Sequence, residues 1–387
     1  MFRSAAAGSP AHLWRRHSHA GLPLRRILEL PIILIRQSSS MRKRQLGSVP
    51  TAFAQPGEKI MAKRSIPIAL MFLTGALAAQ SYEPPRTASG KPNLQGFWTN
   101  ASLTTMQRSA NYEQVGLVIP DDRLPEFTND HHQNVRQETD DNQVQGELPD
   151  GSDLARGRGY NAFWVDPGSQ FGRVMGQSRT SWITYPEDGR IPFSEQGSEL
   201  RSAAFARRGN DGPEGRSLGE RCIIGFGSTG GPPMNNVLYN NMYQFVQTGD
   251  YLMILVEMVH DTRIIPINGQ HRPDALEPWL GDSVGYWDDD TLVVETVNLH
   301  PEQSPRNAAP LSAAGKIIER FTRYSDDQIL YEFEVNDPVY YTEEWRGEMT
   351  FNTTDTKPYE YACHEGNYGL TGILAGARRL ELEPASD

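Results

Sequence analysis

Near its C-terminus the chain reads YEYACHEGNYGLTGILAGARR, which gathers Cys363, His364, Glu365, Asn367 and Tyr368 just before an apolar, helix-periodic stretch. An imidazole titrates near neutrality and suits proton transfer, and a neighbouring carboxylate can orient the base. His364 is therefore read as a group that abstracts or returns a proton, with Glu365 orienting a nearby histidine or arginine. Adjacent side chains at a strand end diverge, so the two serve different roles. Asn367 is read foremost as the cap of the following helix and also as a candidate ligand for a substrate oxygen. A second constellation lies in YLMILVEMVHDTR, with Glu257, His260, Asp261 and Arg263. His260 follows Leu252, Ile254, Val256 and Met258 in period-two register, so it is expected on their side, at the mouth of an apolar cavity. There it serves as a general acid–base or as a structural hydrogen-bonder. Asp261 is expected to point the other way or to turn with the chain, and to orient the histidine, and Arg263 to bind a substrate oxygen. Glu257 falls on the opposite apolar row, where a carboxylate needs a cationic partner or has its pKa raised; an ion pair with Arg263, Arg179 or Arg320 is favoured over a catalytic acid.

Other chemistries find little support. The histidines of the C-terminal three quarters form no HxH or HExxH pattern and the cysteines no CxxC, so neither a metal nor any other cofactor is expected. No nucleophile elbow, dinucleotide fingerprint or P-loop is present, and GFGSTGGPP at 225–233 is read as a loop because its prolines forbid a phosphate-binding helix start. Among the aromatic residues Trp164, Trp182, Trp279, Trp287, Trp345, Tyr340, Tyr341 and Tyr368, most are expected in the core. Trp279, Trp345 and Tyr368 neighbour the polar candidates and are taken as the wall for a flat, apolar or phenolic ligand.

These groups need elements to hold them. From residue 237 onward, apolar runs with period-two character alternate with turns: Thr248-Gly249-Asp250, Asn268-Gly269, then Asp-rich breaks through GYWDDDTLVVETVNL, KIIERFTRYSDDQILYEFEVNDP and TEEWRGEMTFNTTDTKP, with YEYACHE as a last strand. Eight or nine consecutive strands are best satisfied by an antiparallel up-and-down barrel, whose closure removes exposed edges. In QILYEFEV the residues Ile329, Tyr331, Phe333 and Val335 share one face, whereas DYLMILVEMVH is apolar on both and is expected to be covered on both. Leu370, Ile373, Leu374, Ala377 and Leu380 mark an amphipathic helix packed on the barrel wall or across one end. Residues 79–236, rich in Gly, Pro, Asp and Arg, are read as a loop-rich segment wrapping that barrel. The fold class is mainly β, with 237–387 as the barrel core and its C-terminal helix.

Residues 61–78 carry a basic start (Lys63, Arg64), an apolar stretch over 66–77 and small residues Ala76 and Ala78 at an A-x-A site, the pattern of a secretory signal peptide. The stretch is too short for a membrane anchor. Residues 1–60 hold ten Lys or Arg against two acids without sustained periodicity, and are read as a disordered extension from a misassigned start, or alternatively as a transit peptide. Setting aside the 12 basic and two acidic residues of 1–78 from totals of 37 and 48 leaves 25 against 46, a net charge of −21. Such a chain is not expected to bind nucleic acid. A periplasmic or secreted location favours a disulfide between the two cysteines, Cys222 and Cys363, over a reactive thiol at Cys363.

The blocks DGRIP, ERC, YNN.YQ, EM.HDTRIIP, GDS.G.W..DTLVVET, ERFTR, LYEFEVNDP and YEYACHEGNYG..GILAGAR resemble a large bacterial family of exported proteins with no settled common activity. Gly96-Phe97-Trp98 is similar to the G-x-W of the first strand in lipocalin-like barrels, which implies a fold and no function. The residues themselves point to an exported, cofactor-independent acid–base enzyme, of lyase or isomerase type, acting on a small hydrophobic or aromatic molecule held in a pocket at the barrel mouth. The alternative is a lipocalin-like binding protein without catalysis. Oligomeric state is not legible.

Overall fold

The computed structural model describes residues 82–135, 165–273 and 276–382, all within one compact unit, Leu77–Asp387. The segments expected to be a signal peptide and a disordered extension, residues 1–78, and Trp164 lie outside the described residues. Eight strands follow one another as read: β6 (Met242–Gln247), β7 (Tyr251–Val256), β8 (Thr262–Pro266), β9 (Asp282–Asp288), β10 (Thr291–Val297), β11 (Lys316–Arg323), β12 (Gln328–Asn336) and β13 (Trp345–Thr353). The ninth comes from the loop-rich segment: β1 (Gly96–Thr99) is a stave between β6 and β13. The order β8-β7-β6-β1-β13-β12-β11-β10-β9 is antiparallel throughout. Its ends meet only at a parallel bridge between Ile267 and Gly285. The result is a nearly closed barrel with a seam between β8 and β9.

The remaining strands are short. β2 (Val118–Ile119), β3 (Arg173–Val174) and β4 (Gln177–Arg179) form a separate sheet, and β5 (Ile183–Tyr185) pairs with β13. Among the described residues, helices α1 (Leu124–Asn129) and α2 (Glu195–Ala206) precede the main strand series, residues 132–135 are also helical, and α3 (Tyr368–Glu381) closes the described chain. No helix of the described residues is long and apolar enough to cross a membrane.

The period-two pattern dictates what fills the barrel. Ile329, Tyr331, Phe333 and Val335 point inward together, as their spacing predicts, and meet Trp98, Tyr243, Phe245, Phe321, Trp345 and Phe351. Removing one such aromatic ring from water stabilises the fold by on the order of 2–3 kcal/mol. Edge-to-face pairs such as Tyr243–Phe351, at 5.0 Å between centroids, fix the packing. Within this apolar interior Arg263 pairs with Glu319, Nη1 to Oε1 at 2.8 Å, and Tyr331 donates its hydroxyl to the same carboxylate at 2.8 Å.

Three expectations change. YEYACHE is not a strand: residues 363–366 form a turn, and the Tyr359 N–H goes to the Glu257 carboxylate instead of a strand neighbour. The outer face of β7 is only half covered, Met253 and Leu255 being half-buried. The helix α3 is not packed as a core helix, because none of its residues is buried.

Candidate functional site

β7 stops at Val256, four residues before the period-two reading, which ran to His260, would end it. Val259 and His260 take positive φ values of 55° and 44° inside a short 3-10 turn, Met258–His260. A β-branched residue in the left-handed region is a strained conformation. The turn reverses the orientation expected from alternation. His260 is exposed, whereas Asp261 is buried at 7% exposure and receives the Gly225 N–H at 2.8 Å. Gly225 is required there: a Cβ would stand 2.7 Å from both Met258 Cγ and Thr229 Oγ1, and 3.1 Å from Asp261 Oδ2. The Gly-rich loop that the sequence marked merely as a loop thus cradles a carboxylate.

Asp261 and His260 line a cavity of about 690 Å³ over the barrel seam, bounded by β8, by the start of β9 and by the loops carrying Cys222 and Trp279. Trp279 stacks on His300 with 3.8 Å between centroids. Leu280 and Ile264 add apolar wall, and Arg272, Asp282 and Gln270 add polar groups.

Two carboxyls in this wall are driven apart. Burial pushes Asp261 up to about 7, against the pull of the Gly225 N–H. Asp282 is also buried, yet the Arg272 side chain and backbone N–H together with His271 hold it below the usual carboxylate range. Arg272 Nε lies 2.6 Å from Asp282 Oδ1, and His271 bridges Asp282 (2.9 Å) to Glu295 (3.3 Å). A pair of titratable groups pushed in opposite directions is the usual basis for dividing acid–base from anchoring roles. Backbone strain clusters here too, since Cys222, Val259 and His260 all have positive φ and all line the cavity.

The sequence-derived candidates divide. Asp261, His260, Arg263, Trp279 and Cys222 come together in the cavity wall. His364 and Glu365 are exposed and stand outside it, so the two histidines do not face one pocket. Arg263 is not free for substrate, because its guanidinium is committed to Glu319 inside the barrel. Glu257 is buried but lacks the arginine partner expected for it: Arg179 pairs with Glu348, Arg320 with Glu334, and Glu257 accepts from Tyr359 N at 3.2 Å. Trp345 is a core residue at 0% exposure, packed edge-on to Phe333 and Tyr341. Tyr368 is 83% exposed. Asn367 caps α3 by accepting the Leu370 N–H, and it donates to Glu220 O at 2.8 Å. Cys222 and Cys363 form a disulfide, Cα–Cα 5.7 Å, which fits an oxidising compartment.

Sequence reasoning missed Asp282, Arg272 and His271. GDSVG and GQHR were visible, but nothing in their spacing announces that the two turns meet. Among the described residues no group of three or more His, Cys, Asp or Glu side chains is arranged to hold a metal ion. Neither a family model nor a curated protein matches the chain.

Proposed function

We propose that the protein is an exported enzyme performing cofactor-independent acid–base chemistry, of lyase or isomerase type, on a small molecule with a flat apolar body held in the seam cavity. Asp261 carries this conclusion: a buried carboxyl with a pKa near 7, in the wall of an open cavity, is matched to proton transfer at neutral pH. Ionised, it takes a proton from an acidic C–H of the bound molecule. The electron pair released either shifts a double bond, with the proton returned at another atom, or expels a leaving group. His260 at the exposed side of the cavity exchanges that proton with solvent, Trp279 supports the flat body, and the Arg272–Asp282 pair orients its polar end. The carrier alternative has less support, because the barrel interior that a lipocalin-like protein would use is filled by aromatic side chains and the Arg263–Glu319 pair. Export is supported by the disulfide.

The test is proton exchange. A panel of aromatic and terpenoid compounds in D₂O, followed by NMR, should give deuterium uptake or conversion with a pH dependence centred near 7. Asp261→Asn should lower the rate by about 10²-fold or more. Binding without exchange or conversion, unaltered by Asp261→Asn, would overturn the enzyme reading in favour of a carrier.

A further inference from the structure

A second cavity, of about 380 Å³, lies on the other side of the loop that walls the first: residues 222–224 line the seam cavity, and 217–220 and 225–228 line this one. Its remaining wall comes from the end of α2 and from the Ser304–Arg306 turn, and includes Phe205, Arg208, Gln303 and Arg306. In a chain of net charge −11, this corner is basic. Arg207, Arg208, Arg216, Arg221 and Arg306 meet there, yet Glu220 pairs with Arg216 and Glu302 with Arg221. Arg207, Arg208 and Arg306 form no ion pair among the described residues, although the Glu302 charge offsets part of the repulsion at Arg306, which also donates to the Arg216 carbonyl at 3.3 Å. The crowding has a cost: burial first, then the charges of Arg207 and Arg208, pull the Arg306 pKa below its ordinary value.

The field at the C-terminal end of α2 accounts for Arg207 and Arg208 alone, since a helix end favours cations only within its last turn. Arg306 and Arg221 arrive from other parts of the chain. Gln303 is 5% exposed, lines the cavity, and has no side-chain hydrogen bond among the described residues. Its amide atoms are not fully enclosed, so the little surface the residue keeps is open to a ligand in the cavity. Phe205 and Phe226, both large apolar side chains left exposed, face the same space.

We propose that this cavity is a binding site for a small organic anion, a phosphate or carboxylate group carried on a flat apolar body. Arg208 and Arg306 hold the anionic group, Gln303 donates its amide, and the Phe205 and Phe226 rings cover the body. Guanidinium groups suit such anions because their forked donors match two oxygens at once.

Calorimetric titration of the whole protein with phenyl phosphate, benzoate, inorganic phosphate and phenol tests this. Phenyl phosphate or benzoate should bind about tenfold or more tighter than both inorganic phosphate and phenol, and the better of the two identifies the anionic group. Arg208→Gln and Arg306→Gln should each weaken that binding about tenfold, whereas Arg320→Gln, the same charge change on the barrel wall, should leave it unaltered. Arg208 is exposed, so its variant keeps the fold. The proposal fails if phenol binds as well as phenyl phosphate, if Arg320→Gln weakens binding as much as Arg306→Gln, or if no probe binds at about 10 mM.

Discussion

Asp261 is worth more attention than the histidine beside it, because the same burial that tunes its proton affinity also couples it to stability. Its carboxyl titrates near 4 when unfolded and about 7 when folded. Between those values the folded state holds a proton the unfolded chain has lost, so stability falls as pH rises, by up to about 1.4 kcal/mol per unit. His131 works in the opposite sense. Burial, aided by His132, lowers its pKa from 6.5 to about 4, so over that window the unfolded chain holds the extra proton and stability falls on acidification. The two slopes oppose each other between about pH 4 and 6.5, and the wild type should be nearly flat there. Asp261→Asn should be more stable than wild type at pH 8 and should lose stability steadily below pH 6.5, as read from denaturant midpoints across pH. A variant with the wild-type profile would show that Asp261 titrates normally. Gain of stability together with loss of turnover is the expected signature of a strained functional group.

At the scale of elements, the pair between Arg263 of β8 and Glu319 of β11 crosses the barrel at 2% and 0% side-chain exposure. Removing one partner leaves the other charge buried, so Arg263→Met should cost about 3–5 kcal/mol. Adding Glu319→Leu should recover part of that loss, because the uncompensated buried charge is gone while the buried Tyr331 hydroxyl loses its acceptor. Chemical unfolding of the single and double variants checks this, and equal destabilisation in both would show that the two charges are not coupled. The ladder to β7 keeps β8 in the sheet, and the single variant should disturb the seam cavity locally, since its wall includes Arg263.

Across the whole molecule, the Cys222–Cys363 bridge ties positions separated by 141 residues and joins the cavity wall to the start of α3. Loops of that length give about 4–5 kcal/mol on the chain-entropy account. Cys363→Ala, made together with Cys222→Ala so that no free thiol remains, should therefore lower the melting temperature markedly. His364→Ala, next in sequence but exposed, should shift stability by no more than about 0.5 kcal/mol. Comparative thermal melts separate the cases; a His364→Ala protein that melts like the disulfide variant would make the imidazole part of the knot. Since His364 lies outside the cavity wall, the same variant should keep its turnover.

The strands from Met242 to Thr353, the Thr248-Gly249-Asp250 hairpin turn, the inward face of QILYEFEV, the Asn367 cap and the pairing of the two cysteines were legible in the sequence, because each depends on local periodicity, turn chemistry or a choice with one partner; Asn268-Gly269, read as a hairpin turn, instead leads into the long connection between β8 and β9. Local signals failed where a few residues changed backbone direction or where distant segments met. Two left-handed residues at 259–260 turned Asp261 inward and His260 outward, an inversion that alternation alone excludes. The stave at 96–99 is too short for periodicity to reveal it; the likeness of Gly96-Phe97-Trp98 to the first strand of lipocalin-like barrels marked it, and only the tertiary structure seats it between β6 and β13. Which arginine meets which glutamate, and the meeting of GDSVG with GQHR around Asp282, were decided by tertiary structure. Burial and charge pairing depend on what packs against a residue, and spacing along the chain does not carry that information.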